Sequence, residues 1–241
     1  MLSKNQLKLI TSLQQKKYRI QHGLFVAEGV KVVNELLNSK TQLEQLFCTA
    51  IFAQELGNYN PEIISDRELK KISNLKTPNK VLGIFKIPAQ KQLAARGLTV
   101  VLDTINDPGN LGTIIRLCDW FGIEQLVCSS NTVDCYNTKV VQSTMGSLSR
   151  VTVVYTDLTA FLETTTLPIY GALLEGENVY HTQLPSNGIL VMGNESNGIS
   201  EEVEKLITHK ITIPRFGNLK QTESLNVATA TGILLSEFKR N

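Results

Sequence analysis

Short runs of β-branched and other apolar residues alternate with amphipathic segments along most of the chain. In the N-terminal third this pattern predicts helices over residues 1–22, 29–37 and 66–72, and strands over 24–27, 43–50, 62–65 and 81–85. After a segment at 88–97 that we interpret as a linker, it predicts helices over 111–121 and 139–148, and strands over 99–103, 124–128, 151–155, 169–173, 189–192 and 211–213. Strands that alternate with helices favour a largely parallel sheet with both faces covered. We therefore expect an α/β protein, with a small N-terminal α/β domain over 1–90 and a parallel-sheet domain over 98–241.

The last predicted strand leads into a polar loop and an apolar helix, in the sequence ITIPRFGNLKQTESLNVATATGILLSEF. Pro214 ends the strand because it has no N–H for a sheet, and Ser224 stands at the predicted N-cap of the helix. Apolar residues surround most of this helix, so we expect its own sheet to cover one side and a second subunit another. The small residues Ala228, Ala230 and Gly232 would allow that subunit a close approach. A polar loop between a strand and a helix N-terminus is a common ligand site in open α/β sheets.

Composition sets the class of protein. The 241 residues include 42% hydrophobic and 19% charged side chains, which is typical of a soluble globular protein. No apolar run approaches the roughly 18 residues of a membrane helix, and the N-terminus lacks the apolar core of a signal peptide, so we expect a cytoplasmic location and no membrane partner. The four cysteines show no C-x-x-C spacing and the three histidines are scattered. We therefore expect buried thiols, no disulfide framework and no metal site.

Charge is distributed unevenly along the chain. Residues 1–40 contain seven Lys or Arg and two Glu, a net charge of +5, whereas the rest contains seventeen basic and twenty acidic residues, a net charge of −3. A basic end on a near-neutral body favours a polyanionic partner such as RNA, and a solvated helix face is the alternative. Lys16, Lys17 and Arg19 are the residues that we expect to contact RNA phosphates.

Loops rich in Gly and Asn follow predicted strands at residues 106–112 and 193–198, and the polar loop before the last helix is a third. None contains G-x-G-x-x-G or G-x-x-x-x-G-K-[ST], which argues against dinucleotide-binding and Walker-type nucleotide sites. Arg116 lies away from the apolar stripe of its predicted helix, and an exposed ion pair with Asp119 is its simplest interpretation. Glu195 also has a structural interpretation, as a carboxylate that accepts backbone N–H groups.

Three ordered motifs resemble those of the SpoU/TrmH branch of the SPOUT class, the S-adenosylmethionine-dependent RNA ribose 2′-O-methyltransferases. They are Asn110-x5-Arg116 followed by Phe121-Gly122, Gly193-x-Glu195-x-x-Gly198, and Ile213-Pro214 followed by Ser224-Leu225-Asn226-Val227. Residues 17–37 further resemble the small N-terminal RNA-binding domain that many of these enzymes carry. The chain departs from the family in one respect, because its nine residues 215–223 form a longer connection between Ile-Pro and Ser-Leu-Asn than most members have.

The resemblance implies a deep trefoil knot at the C-terminus, a topology that most folds avoid, and a homodimer that packs through the knotted region. It implies that S-adenosylmethionine binds largely to backbone, at Leu174, Gly193, Asn194, Gly198, Ile213 and Leu225. It assigns activation of the ribose hydroxyl to Arg116. The other catalytic residues that it implies organise the site or shape its cofactor and substrate sides: Asn110, Glu195, Ser224 and Asn226.

The function that the resemblance implies is an RNA 2′-O-ribose methyltransferase. Ribosomal RNA is the expected target because the extra N-terminal domain suits a large structured RNA. The alternatives are a protein of the same fold that binds RNA or the ribosome without catalysis, a transfer RNA methyltransferase, and an enzyme that methylates a base. The presence of Asn110, Arg116, Glu195 and Asn226 argues against a loss of activity.

Overall fold

The computed structural model describes residues 1–89, 97–217 and 224–240. The strands, in chain order, are β1 Leu24–Glu28, β2 Leu43–Cys48, β3 Glu62–Ile63, β4 Val81–Lys86, β5 Leu98–Leu102, β6 Gln125–Ser129, β7 Thr152–Thr156, β8 Ile169–Asn178, β9 Gly188–Met192 and β10 His209–Thr212. The helices are α1 Lys4–Ser12, α2 Lys16–His22, α3 Val30–Leu37, α4 Ala50–Ala53, α5 Asp66–Ile72, α6 Pro108–Trp120, α7 Thr138–Thr144, α8 Leu158–Glu163, α9 Glu201–Glu204 and α10 Val227–Phe238. Short 3-10 helices occur at Ser147–Ser149 and Val179–His181.

Two compact units make up the chain. The first contains Met1–Gln90 and Asp134–Ser149, and the second contains Lys91–Val133 and Arg150–Asn241. The domain boundaries expected from the sequence, 1–90 and 98–241, stay a prediction. The division by contacts differs from them because it places residues 134–149 with the N-terminal segment. Most of the expected linker, residues 90–96, lies outside the described residues.

The first unit is built on a four-stranded sheet in the order β1-β4-β2-β3, in which β4 runs antiparallel to both β1 and β2. Helix α7 packs on β1, and its Val141 joins the apolar core that contains Phe25 and Val33. The ring of Phe25 also contacts that of Tyr136, with 4.8 Å between centroids. The segment 134–149 is therefore a structural part of the N-terminal unit, although it follows β6 in the sequence.

Arg19 is buried in this unit and joins the N-terminal segment to Asp134. It is only 2% exposed, and its Nη2 lies 2.6 Å from Oδ2 of Asp134. Its Nη1 donates hydrogen bonds to the carbonyl oxygens of Leu13 and Gln14 at 2.9 and 2.8 Å. A buried guanidinium whose donors are already used cannot reach a phosphate. The expectation that Arg19 contacts RNA is therefore corrected: this residue is structural.

The second unit contains a six-stranded sheet in the order β10-β8-β9-β5-β6-β7, and every neighbouring pair in it is parallel. This confirms the predicted α/β class with a small N-terminal unit and a parallel C-terminal sheet. Pairing between β8 and β10 shifts register: Lys210 faces Gly171, but Ile211 faces Glu177. Residues 172–176 thus bulge out of the ladder. The trefoil knot stays a prediction, because strand order does not decide it.

Among the helix boundaries that differ from the predicted ones, two are set by polar caps and not by apolar spacing. Helix α10 begins after Asn226 and not after Ser224, since the Asn226 side chain accepts hydrogen bonds from the N–H groups of Ala228 and Thr229 at 3.0 and 3.2 Å. Helix α6 begins at Pro108, three residues before the predicted start, since Asp107 caps it. Among the described residues, no helix is long and apolar enough to cross a bilayer.

Candidate active site

The amide of Asn110 joins three loops that are far apart in sequence. Its Nδ2 donates a hydrogen bond to Oε1 of Glu195 at 2.7 Å, and its Oδ1 accepts one from Nδ2 of Asn226 at 2.8 Å. Asn110 lies in the first turn of α6, which follows β5, Glu195 lies in the loop after β9, and Asn226 is the N-cap of α10, which follows β10. Carboxyl ends of parallel strands lie along one edge of a sheet, so the loops that follow them meet there. The structure therefore brings three of the five predicted catalytic residues into one hydrogen-bonded group.

Helix caps fix two members of this group. Asp107 accepts a hydrogen bond from the N–H of Asn110 at 2.7 Å, which places Asn110 in the first turn of α6. Asn226 uses its Oδ1 to cap α10 and therefore has its Nδ2 available for Asn110. Further along the two helices, Gly232 of α10 packs beside Leu117 of α6. The two helices thus lie side by side with their N-termini together, and the polar group sits between those N-termini.

The loop after β9 is a tight turn closed by its own backbone. Asn194 and Gly198 exchange two backbone hydrogen bonds at 2.8 and 2.9 Å. The side chain of Asn194 accepts from the N–H groups of Ser196 and Asn197 and donates to the carbonyl oxygen of Thr104 at 2.6 Å. The turn is therefore tied both to itself and to the end of β5, which presents Glu195 towards Asn110.

A large cleft of about 1530 Å³ lies beside this turn, within the second unit. Its walls come from the bulge of β8, the 193–199 turn, residues 210–217 and the start of α10. All six residues predicted to bind the cofactor line it: Leu174, Gly193, Asn194, Gly198, Ile213 and Leu225. Two of them remain uncovered, since Leu174 is 66% exposed and Leu225 49% exposed. Apolar side chains left open on the wall of a cleft are typical of a ligand site.

The remaining predicted catalytic residues lie around this group in different ways. Ser224 lines the cleft together with Glu195. Arg116 is exposed on α6, six residues or about 9 Å along the helix from Asn110. Its expected ion pair with Asp119 is not formed, because Asp119 binds Arg150 at 2.9 Å. Within the described parts of the chain, Arg116 makes no ion pair, so its cation is open to a ligand.

Possible metal ligands and thiols are two further features that bear on the chemistry of this site. No cluster of three or more His, Cys, Asp or Glu that could hold a metal occurs among the residues that the structure describes. Burial, reinforced by the nearby charge of Asp119, raises the pKa of the Cys118 thiol to about 12. A thiol with so high a pKa is protonated at neutral pH and is a poor nucleophile. The predicted catalytic residues present amide, carboxylate, hydroxyl and guanidinium groups.

A family profile identifies this arrangement. The profile described as the SpoU rRNA Methylase family matches residues 97–236, which is more than half of the chain. The chain belongs to this family. A second profile, described as an MRM3-like substrate binding domain, matches residues 4–83. The two matched regions confirm the resemblance inferred from the three motifs and from residues 17–37.

Relatives of this SpoU-family chain match it over nearly its full length. It is 29% identical over 234 residues to the 23S rRNA (guanosine(2553)-2′-O)-methyltransferase RlmP of Bacillus subtilis, covering 94% of this chain and 93% of that protein. A structure from Porphyromonas gingivalis, assigned to the TrmH family of RNA methyltransferases, is 38% identical to this chain with a TM-score of 0.89. The match covers 100% of this chain and 99% of that one. The AdoMet-bound rRNA methyltransferase of Sinorhizobium meliloti is 27% identical, with a TM-score of 0.87 and coverage of 100% and 96%.

Two supporting residues of the site were missed by the sequence analysis. Asp107 directly precedes Pro108, and Asp followed by Pro is a recognisable helix start, so this signal was present in the sequence. Thr104 adopts a left-handed φ of 61°, which is rare for a β-branched residue. Its conformation depends on partners from other strands, since its N–H donates to Ser129 and its carbonyl accepts from Asn194. Nothing in local spacing indicates such a residue.

We predict that Gly193→Ala destabilises the second unit, whereas Gly217→Ala does not. A Cβ on Gly193 would lie 2.6 Å from the carbonyl oxygen of Gly198, so the closed turn must open. We expect a loss of about 1–3 kcal/mol. Gly217 lines the same cleft, but no atom of the described residues lies within 4 Å of an added Cβ, so its variant should stay within about 0.5 kcal/mol of wild type. Urea unfolding followed by circular dichroism compares them, and equal stability of the two variants would contradict the crowding at Gly193.

Proposed function

We propose that this protein transfers a methyl group from S-adenosylmethionine to the 2′-hydroxyl of a ribose in RNA, with ribosomal RNA as the target. The observation that carries the proposal is the group of Asn110, Glu195 and Asn226, which is hydrogen-bonded at the edge of the large cleft. Membership of the SpoU family and a full-length relative that acts on the 2′-O of a 23S rRNA guanosine support it.

The cleft offers both backbone and apolar surface to S-adenosylmethionine. Gly193 and Gly198 of the closed turn line the cleft, and because they have no side chains, a ligand can approach the backbone there closely. The exposed Leu174 and Leu225 offer apolar surface for the adenosine part of the cofactor. When bound, S-adenosylmethionine supplies a methyl group on a positively charged sulfur, which is reactive without further activation. An AdoMet-bound neighbour of the same fold supports this assignment.

The chain's own contribution is to activate and orient the ribose. A ribose hydroxyl is a weak nucleophile near neutral pH, so its proton must leave before or during transfer. A guanidinium stays protonated under these conditions, and Arg116 therefore cannot act as a free base. We assign it to electrostatic stabilisation of the developing oxyanion, while a phosphate oxygen of the bound RNA or a neighbouring group accepts the proton. Asn110 and Glu195 hold the site in place, while Ser224 and Asn226 shape the cofactor loop and the substrate side.

Three alternatives are less well supported. The presence of Asn110, Arg116, Glu195 and Asn226 disfavours a protein that binds RNA without catalysis. A transfer RNA substrate fits the catalytic unit equally well, but the MRM3-like substrate binding domain and the rRNA-modifying relatives favour ribosomal RNA. A base methyltransferase lacks comparable support, since RlmP acts on a ribose. Cytoplasmic location stays a prediction.

The first test of the proposal is Arg116→Ala. We expect methyl transfer to fall by at least about 100-fold, because one donor to a developing charge is lost, while the affinity for S-adenosylmethionine stays within a few fold. Single-turnover assays and calorimetry measure the two quantities. Arg240→Ala is the matched control, because it removes an exposed arginine of the same unit that is paired with Glu237. If Arg116→Ala transfers methyl groups at the wild-type rate, Arg116 is not a catalytic residue.

Homodimer formation is a second part of the proposal. In one chain, α10 already buries six residues: Val227, Ala228, Thr231, Leu234, Leu235 and Phe238. Support for a partner comes from the surface that stays open, since Ala230, Gly232 and Ile233 are only partly covered and Trp120 on the neighbouring α6 is 84% exposed. Sedimentation equilibrium of the full chain should give twice the chain mass of 26.7 kDa. A monomer that binds S-adenosylmethionine normally would refute the dimer.

RNA binding by the N-terminal unit is a third part, and we now assign it to Lys16 and Lys17, which are exposed. Replacing both with Ala should weaken binding to all structured RNAs and reduce the slope of log K against log salt by about one for each phosphate that these two lysines bind. The control is Lys86→Ala, which removes a lysine of the same unit that is paired with Glu44. Salt titrations of ribosomal RNA binding make the comparison, and identical slopes in all three proteins would return α2 to a solvated helix face.

A further inference from the structure

Two aromatic rings face each other on the wall of the large cleft. Tyr180 and Phe216 have ring centroids 6.1 Å apart with planes inclined at 34°, and both residues line the cleft. Phe216 stands two residues after Pro214, in the nine-residue connection 215–223. The rest of that connection, residues 218–223, lies outside the described residues. We call Tyr180 and Phe216 the rim pair.

One ring of the rim pair is firmly anchored. Tyr180 belongs to the short 3-10 helix Val179–His181, in which Val179 is fully buried. The N–H of Tyr180 donates to the capping side chain of Asn178 at 3.0 Å. Tyr180 itself is half-buried. The phenol ring is therefore a fixed surface against which a second flat group can pack.

The other ring is largely uncovered, and the fold does not explain why. Among the described residues of the second unit, four large apolar side chains are exposed: Trp120, Leu174, Phe216 and Leu225. The last three line the same cleft. In the proposed function, Leu174 and Leu225 contact the cofactor, whereas Phe216 has no role. Its side chain is nevertheless 81% exposed. An exposed aromatic ring on the wall of a binding cleft is typically covered by a ligand.

We propose that the rim pair is a stacking site for a nucleobase of the RNA, beside the ribose that accepts the methyl group. The inference rests on the proposed function, which puts a nucleotide of single-stranded or flipped-out RNA in this cleft. Every base has a flat face, so aromatic rings bind bases without strict sequence choice. The wall also carries Glu175 and Glu195, so stacking and not net charge must supply the affinity.

Adenine of the cofactor is the other base that could occupy the rim pair, and a fluorescent reporter separates the two sources. The chain contains one tryptophan, so the full-length double variant Trp120→Phe, Phe216→Trp has its single indole in the rim pair. Stacking of a base on that indole quenches its emission. The probes are S-adenosylhomocysteine alone, a single-stranded 12-nucleotide oligo(U) or oligo(A) alone, and a duplex of the same length.

We expect quenching by either single-stranded oligonucleotide and little change with S-adenosylhomocysteine or with the duplex. Quenching by S-adenosylhomocysteine, with no further change on adding RNA, would assign the rim pair to the cofactor and overturn the proposal. Absence of quenching by any probe would also overturn it. The variant Trp120→Phe with Phe216 intact provides the blank.

Affinity measurements give an independent readout. Phe216→Ala should weaken oligonucleotide binding by about 5- to 100-fold, the usual loss for one base stacked on an aromatic ring. Phe216→Leu keeps apolar bulk without the ring and should lose most of the same affinity, whereas Phe216→Tyr should retain it. Thermal stability should be unchanged in all three, because an exposed side chain contributes little to folding. Equal affinity of Phe216→Leu and wild type would show that the ring is not used.

Methylation assays separate failure of this proposal from failure of the proposed function. If the wild type methylates RNA ribose and Phe216→Ala does so with unchanged KM for ribosomal RNA, only the rim pair assignment is wrong. If the wild type methylates no RNA but the oligonucleotides still quench the reporter, the rim pair stands as a base-binding site and the proposed reaction is wrong.

Discussion

The geometry of the site depends on the side-chain amide of Asn110, which makes one hydrogen bond through its nitrogen and another through its oxygen. Asn110 donates to Glu195 and accepts from Asn226, so its orientation is fixed by two partners that lie 85 and 116 residues away. Replacing the amide with a carboxylate would remove the donor and set two carboxylates against each other. Replacing it with an aliphatic side chain would release both loops. The position of Glu195 and the start of α10 are therefore coupled through this one side chain.

The fold explains why three loops can reach one amide. Strands β5 and β9 are neighbours in a parallel sheet, and β10 joins the same sheet through β8. Their carboxyl ends form one edge, and α6 and α10 leave that edge side by side. The caps Asp107 and Asn226 set where the two helices begin, and these starting points decide which side chains face each other. Helix capping thus sets the geometry of the site as well as contributing to stability.

Sequence patterns predicted the strands well, because buried strands such as β5 and β9 are short runs of apolar and β-branched residues that can be recognised locally. Short helices escaped prediction, since α4 and α9 have only four residues each and show no full period. The burial of Arg19 was also missed. Its partner Asp134 is 115 residues away, and a basic residue in a basic segment gives no local sign of a distant carboxylate. Likewise, Ser224 and Asn226 are both good capping residues, and only the folded geometry shows that Asn226 caps α10.

The most direct test of the account is a map of ribose methylation in total RNA from a strain that lacks the gene, compared with its parent. We predict that one 2′-O-methyl mark in ribosomal RNA is absent from the strain that lacks the gene and returns when the gene is restored. Survival of every ribose mark, or loss of a base methylation in place of a ribose one, would contradict the assignment of this site to ribose 2′-O-methylation.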